Sequence, residues 1–150
     1  MNVAPVPSNL PQGDWMMDSA ALGRFVLPAF EVIPKRLPQC VCAMLCTPEG
    51  FNLCSIGVTV DQLGKIAALT SSLISLGEAT VQAVHSGQHP SLDVLTLQSG
   101  DLTTVGIKVP HVNGHLLLLV TAQAAPLGAI LTIARSTAER IKELLPRSAA

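Results

Sequence analysis

Along residues 60–85, VDQLGKIAALTSSLISLGEATVQAVH, apolar side chains return every three or four positions. Leu63, Ile66, Ala67, Thr70, Leu73, Ile74, Val81 and Val84 make a stripe of helical period. That stripe predicts a helix over Val60–His85 with one face on a core. The opposite side holds Gly64, Ala68, Ser71, Ser72, Ser75, Ala79 and Gln82, and no charged residue falls between Lys65 and Glu78. A helix face turned to water ordinarily carries Lys and Glu, whereas small uncharged side chains let another backbone come close. The pattern therefore predicts a helix that packs on its own domain with one face and on a second molecule with the other.

The rest of the chain arranges itself around this helix. Met1–Asp18 holds Pro5, Pro7 and Pro11 among polar residues and reads as a flexible tail. Ser19–Leu37 has a helical apolar spacing at Leu22, Phe25, Val26, Phe30, Ile33 and Leu37. Pro28 and Pro34 each remove a backbone donor there, so the expectation is a broken helix or two short ones. Cys40–Thr47 is a nearly continuous apolar run, as in a strand buried on both faces. The turn Pro48-Glu49-Gly50 leads to a returning strand at Phe51–Val58. Asp61 suits the positive end of the long helix, and Gly87 suits its C-terminal cap.

Beyond a loop at Ser86–Ser91, a strand is expected at Leu92–Leu97. Ser99-Gly100-Asp101 turns the chain into Leu102–Val109, where Val105, Ile107 and Val109 alternate with Thr104, Gly106 and Lys108. Asn113-Gly114 is a hairpin signal. His115–Thr121 is the most apolar strand and so belongs in the middle of the sheet. Pro126 fits the first turn of a last helix, with Leu127, Ile130, Leu131, Ala134, Ala138, Ile141 and Leu145 on its core stripe. Arg135, Glu139, Lys142 and Glu143 give this helix the charged outer face that Val60–His85 lacks. Pro146 ends it, and residues 147–150 are expected to fray. The fold class is α/β, more narrowly an α+β sandwich. Its order is α-β-β-α-β-β-β-α, a five-stranded, mostly antiparallel sheet with helices on both faces. Residues 19–146 form a single domain in this reading.

Composition narrows the function. The chain of 150 residues is 49% apolar, 13% charged and 3% aromatic, with a net charge of −1. Its mean hydropathy is +0.48, which is high for a free monomer that must stay dispersed by charge. A partner covering part of the surface resolves this. The nine Lys and Arg are scattered, and three Phe and one Trp offer few stacking platforms, which argues against nucleic-acid binding. Val109–Ala134 lacks Asp, Glu, Lys and Arg, but His111, Asn113, Gly114, His115, Gln123, Pro126 and Gly128 interrupt it. We read it as turn, strand, loop and helix start, with no membrane insertion. Met1–Asp18 has neither the charged start nor the apolar core of a signal peptide, so the expected location is cytoplasmic.

With these elements in place, the sequence resembles the Roadblock (dynein light-chain seven) family. The stretches that carry the likeness are VCAMLCTPEGFNLCSIG, GKIAALTSSLISLGEA, and GHLLLLV followed by PLGAILTIARSTAERIKELL. They span about Gln39–Leu145. The bacterial branch, with its regulators of small Ras-like GTPases in gliding motility, is the most similar. The resemblance implies a homodimer in which the central helices pack together and the third strands pair edge to edge. It implies a non-enzymatic platform or regulator with a small GTPase as partner. The Pro-rich tail and the two prolines of the first helix depart from the family pattern. The edge pairing also has a physical motive. Leu92–Leu97 contains no Lys, Arg or Pro to block its open backbone groups, and a twin strand would satisfy them. The expected contact residues on this strand are Leu92, Val94 and Thr96.

Candidate chemistry is sparse. Cys40, Cys42, Cys46 and Cys54 contain no C-x-x-C. On a strand, Cys40 and Cys42 share a face with α-carbons about 6.5–7 Å apart, at or beyond the limit for a disulfide. They read as small buried apolar residues in a reducing compartment. His85 and His89 are separated by Gly87, while His111 and His115 flank the Asn113-Gly114 turn, with no carboxylate placed to support a metal. There is no G-x-S-x-G elbow, no G-x-x-x-x-G-K loop and no carboxylate pair with a shared environment. The expectation is no cofactor, no metal and no catalysis. The function expected is a homodimeric regulatory or scaffold module for a small GTPase. The alternative is a small-ligand sensor with a pocket between sheet and helix.

Overall fold

In a computed structural model of the chain, the residues described are 19–85, 91–111 and 114–145. The N-terminal tail, Gly87, His89, Asn113, Pro146 and residues 147–150 lie outside them. The elements are α1 (Ser19–Arg36), β1 (Cys40–Cys46), β2 (Asn52–Ile56), α2 (Val60–Val84), β3 (Val94–Ser99), β4 (Leu102–His111), β5 (Gly114–Gln123) and α3 (Leu127–Leu144). All neighbouring strands pair antiparallel, in the order β2-β1-β5-β4-β3. The apolar run of β5 lies in the centre, so both its faces are covered.

Strand alternation sorts side chains between two layers. Ala43, Val105 and Val120 stand abreast on one face, and Met44, Gly106 and Leu119 on the other. The first face forms the larger core with Val26, Phe30 and Ile33 of α1 and Ile130, Ala134 and Ile141 of α3. Among the described residues, the second face is covered by α2 alone. Its core is Met44, Cys46, Leu92, Leu117 and Leu119 against Ala67 and Ile74.

One expectation is corrected at the start of the chain. α1 is a single helix through both Pro28 and Pro34, not a broken one. Both prolines face outward, while Leu22, Val26, Ala29, Phe30 and Ile33 are buried. The burial of that stripe along the whole helix outweighs the missing donors. Gly23 explains how α1 comes so close to the sheet. A Cβ there would run into the carbonyl oxygen of Leu53, the residue skipped where the β1–β2 register shifts. α1 therefore crowds the β2 side of the sheet, and the β3 edge has no such cover among the described residues.

Candidate interaction face

α2 begins after Thr59 in a capping box: Thr59 and Gln62 satisfy each other's backbone donors, with the Thr59 N–H donating to Gln62 Oε1 at 3.2 Å. Its side chains then divide by angle around the helix axis. Ala67, Thr70 and Ile74 are buried on the sheet, and Thr70 returns its hydroxyl to the Ile66 carbonyl at 2.7 Å. Gly64, Ala68, Ser72, Ser75, Ala79 and Gln82 are exposed, on the side expected to meet a second molecule. Ser71 is half-buried and donates its hydroxyl to the Pro48 carbonyl, which ties α2 to the β1–β2 turn. Gly50 of that turn, at φ +94°, lies against Ala68. The small-residue stripe thus borders the β1–β2 turn.

The opposite flank of α2 is different. Leu69 is 54% exposed and Leu76 is 66% exposed, one helical repeat of seven apart. Sequence reading assigned these leucines to neither stripe. Their i, i+7 spacing within the uncharged stretch was the available signal. Beneath this flank a crevice opens between α2 and the β3–β4 side of the sheet. It is lined by Leu73, Ile74, Leu97, Thr104, Gly106 and Leu119, and its volume is about 10 Å³. That is space for one water at most, against several hundred Å³ for an ordinary ligand pocket. It gives the small-ligand alternative no support.

The third-strand residues also separate. β3 starts at Val94, not at Leu92. Leu92 is buried and packs beneath α2 at Gly77, where a Cβ would come within 2.9 Å of its Cδ2. Val94 is half-buried against the α1–α3 core, and Thr96 is exposed. Val84, which sequence periodicity put on the core stripe, is 76% exposed.

Polar groups fasten this layer. Lys108 of β4 and Glu78 of α2 form an ion pair, both largely covered. Thr104 and Thr121 share a cross-strand hydroxyl hydrogen bond of 2.8 Å. His111 stands opposite Gly114 and His115 opposite Pro110, so the two imidazoles point to opposite faces of the hairpin and cannot share a ligand. Burial lowers the pKa of both, and Lys108 lowers that of His115 further against an opposing pull from Glu49. The four thiols are free. Burial pushes Cys46 up to about 12 and Cys40 and Cys54 to about 11, so they are protonated at neutral pH. Among the described residues there is no group of three His, Cys, Asp or Glu side chains fit to hold a metal. No helix among them is long and apolar enough to cross a membrane.

This architecture is found in solved structures. The Roadblock/LC7 domain from Streptomyces avermitilis matches with a TM-score of 0.65 over 86% of this chain and 98% of its own, at 18% identity. The fold is that of the Roadblock/LC7 domain. An MglB with a tetrameric arrangement matches this Roadblock fold with a TM-score of 0.72 at 16% identity, over 89% of this chain and 96% of its own. The gliding protein MglB from Thermus thermophilus gives 0.71 at 15% identity, over 89% and 97%. No protein-family model and no curated protein matches the sequence. At such identities the likeness is one of fold, and the small uncharged flank of α2 belongs to this chain's own sequence.

Proposed function

We propose that this chain is a non-catalytic regulatory or scaffold module that works as a homodimer and binds a small Ras-like GTPase in the cytoplasm. Residues 19–146 would form the working domain. The observation that carries the reading is the exposed, uncharged outer side of α2 beside a β3 edge without blocking residues. A lone domain gains nothing from keeping Leu69, Leu76 and Leu97 in water, whereas a twin copy would bury them and pair the strand. The GTPase partner is supported by the sequence likeness to gliding-motility regulators and by the fold shared with MglB.

Two measurements test this. Light scattering across a concentration series should give twice the chain mass, and a particle that stays single removes the platform role. The purified protein, used as bait in cells of its source, should retain a Ras-like GTPase. Adding the protein to that GTPase should change its rate of GTP hydrolysis or nucleotide exchange. An unchanged rate with no retained GTPase would leave a self-associating module without this partner.

A further inference from the structure

Phe51 stands just before β2 and is 69% exposed, the most open aromatic among the described residues. Its position relative to α1 follows from the chain path. The Cys40 N–H donates to the Leu37 carbonyl, so the end of α1 leads straight into β1, and β1 runs antiparallel to β2. α1 and β2 therefore run in the same direction, with Gly23 against Leu53. Ser19 lies one turn before Gly23, about 6 Å along the helix, and Phe51 lies two residues before Leu53, about 7 Å along the strand. The start of α1 and Phe51 are thus at one level. Leu27, one turn beyond Gly23 on the same side of α1, is 38% exposed, and Leu53 is half-buried. Phe51, Leu53 and Leu27 make an apolar seam between α1 and β2. β2 is the last strand on this side of the sheet, and Asn52–Ile56 holds no Lys, Arg or Pro to block its outer edge.

Residues 1–18 join α1 at this end of the seam. We infer that they are its occupant, folding back on their own chain with Trp15 on Phe51 and Leu10 and Pro11 over Leu27. Trp15 is four residues before Ser19, a reach of up to about 14 Å, which covers Phe51. Leu27 lies about 12 Å below the level of Ser19, and residues 10–15 span about 15 Å when extended. The chemistry matches along the whole length. Residues 1–13 carry no charged side chain, and Val3, Val6 and Leu10 lie among Pro5, Pro7 and Pro11. An indole on the Phe51 ring adds an aromatic pair to the apolar contact. The tether favours this segment over a separate partner, because it holds the segment beside the seam at an effective concentration of about 1 mM. The prolines lack backbone donors, so the segment covers the β2 edge without offering a new strand to pair with. Docked there, it closes one edge of the sheet and leaves β3 as the open one, so strand pairing between molecules can proceed on one side only. This goes beyond the proposed function and does not depend on it.

Trp15 is the sole tryptophan, so its fluorescence in the full chain reads this segment alone. Acrylamide should quench it at least about threefold less efficiently than N-acetyltryptophanamide, as for an indole packed on a ring. Phe51→Ser should bring quenching close to that of the free indole, and Leu27→Ser part of the way. Phe25→Ser, on the other flank of α1, should leave it unchanged. All three sites are exposed, so each variant should fold, which circular dichroism checks. The shielding should be the same from about 1 to 100 µM, since the contact lies within one chain. Trp15→Ser should sediment as larger species as concentration rises, its β2 edge being uncovered, and sedimentation equal to that of the natural chain refutes the closing of that edge. Shielding that disappears on dilution assigns the seam to a second copy and overturns the inference. So does a Trp15 quenched as readily as the free indole, or shielding that survives Phe51→Ser. None of these results bears on the homodimer, which light scattering decides separately.

Discussion

Replacing Ile74 by alanine tests how α2 is held. α2 buries three side chains, Ala67, Thr70 and Ile74, and Ile74 is the only large apolar one. It is 3% exposed and sits over Gly106, where its Cδ1 lies 3.3 Å from the position a Cβ would take. Truncation removes three carbons, about 2.4 kcal/mol of transfer free energy. The neighbouring crevice shows that this layer already fails to close fully, so the new cavity should persist and bring the total to about 3–4 kcal/mol. The larger core of α1 and α3 lies on the other face of the sheet and does not touch Ile74. The loss should therefore fall on α2 as a unit. Hydrogen exchange resolved by segment is the assay, with urea unfolding beside it. Amides of α2 should exchange about a hundredfold faster or more, while those of α3 change less. Raising the protein concentration should restore protection in α2 if a twin copy covers it. Equal loss of protection in α2 and α3, or a total cost below about 1 kcal/mol, would refute the account of α2 as a separately held layer.

Other outcomes follow from particular contacts. Lys108→Ala should cost about 1–3 kcal/mol in urea unfolding, because Glu78 is left largely covered without its partner; a Lys108→Met, Glu78→Gln double variant should recover part of that. Gly23→Ala and Gly64→Ala should differ in sign. The first drives a methyl into the Leu53 carbonyl and should lower the melting temperature, and the second meets nothing within 4 Å and should stabilise by about 0.5–1 kcal/mol. Alkaline titration reads the buried thiols. Cys46 and Cys54 keep their protons to about 12 and about 11 in the folded chain against 9.0 unfolded, so the unfolded chain ionises first. Their contribution is complete below pH 9 and is lost as pH rises toward 11–12, at about 1.4 kcal/mol per pH unit for each thiol. Cys46→Ala should make the alkaline fall in urea stability shallower.

Much of this molecule was legible in local pattern. Helical periods, one strand's alternation, unbroken apolar runs and turn signals together located all eight elements. The unbroken apolar run at Leu116–Val120 put β5 at the centre, where it pairs with β1 and β4. The contrast between the charged side of α3 and the uncharged side of α2 marked α2 as the surface to watch. Local pattern was weaker wherever a residue's setting depends on a distant one. Leu92 was read into β3, but Gly77 leaves room that draws it under α2. Ser71 was grouped with the outward stripe, but the Pro48 carbonyl lies within its reach.

The sequence alone determined which residues are apolar and at what angle each leaves its helix or strand, because those follow from chain geometry that every segment carries within itself. Only the tertiary structure decided where the sheet stops. Val84 shares the helix angle of the half-buried Ile66 and Leu73 yet is 76% exposed, because burial needs an opposing surface and the described residues place none against it. It also separated the two flanks of α2, one tied to the β1–β2 turn and the other open beside β3. That distinction depends on strands far away in the sequence, whose positions are set by packing and not by any local period.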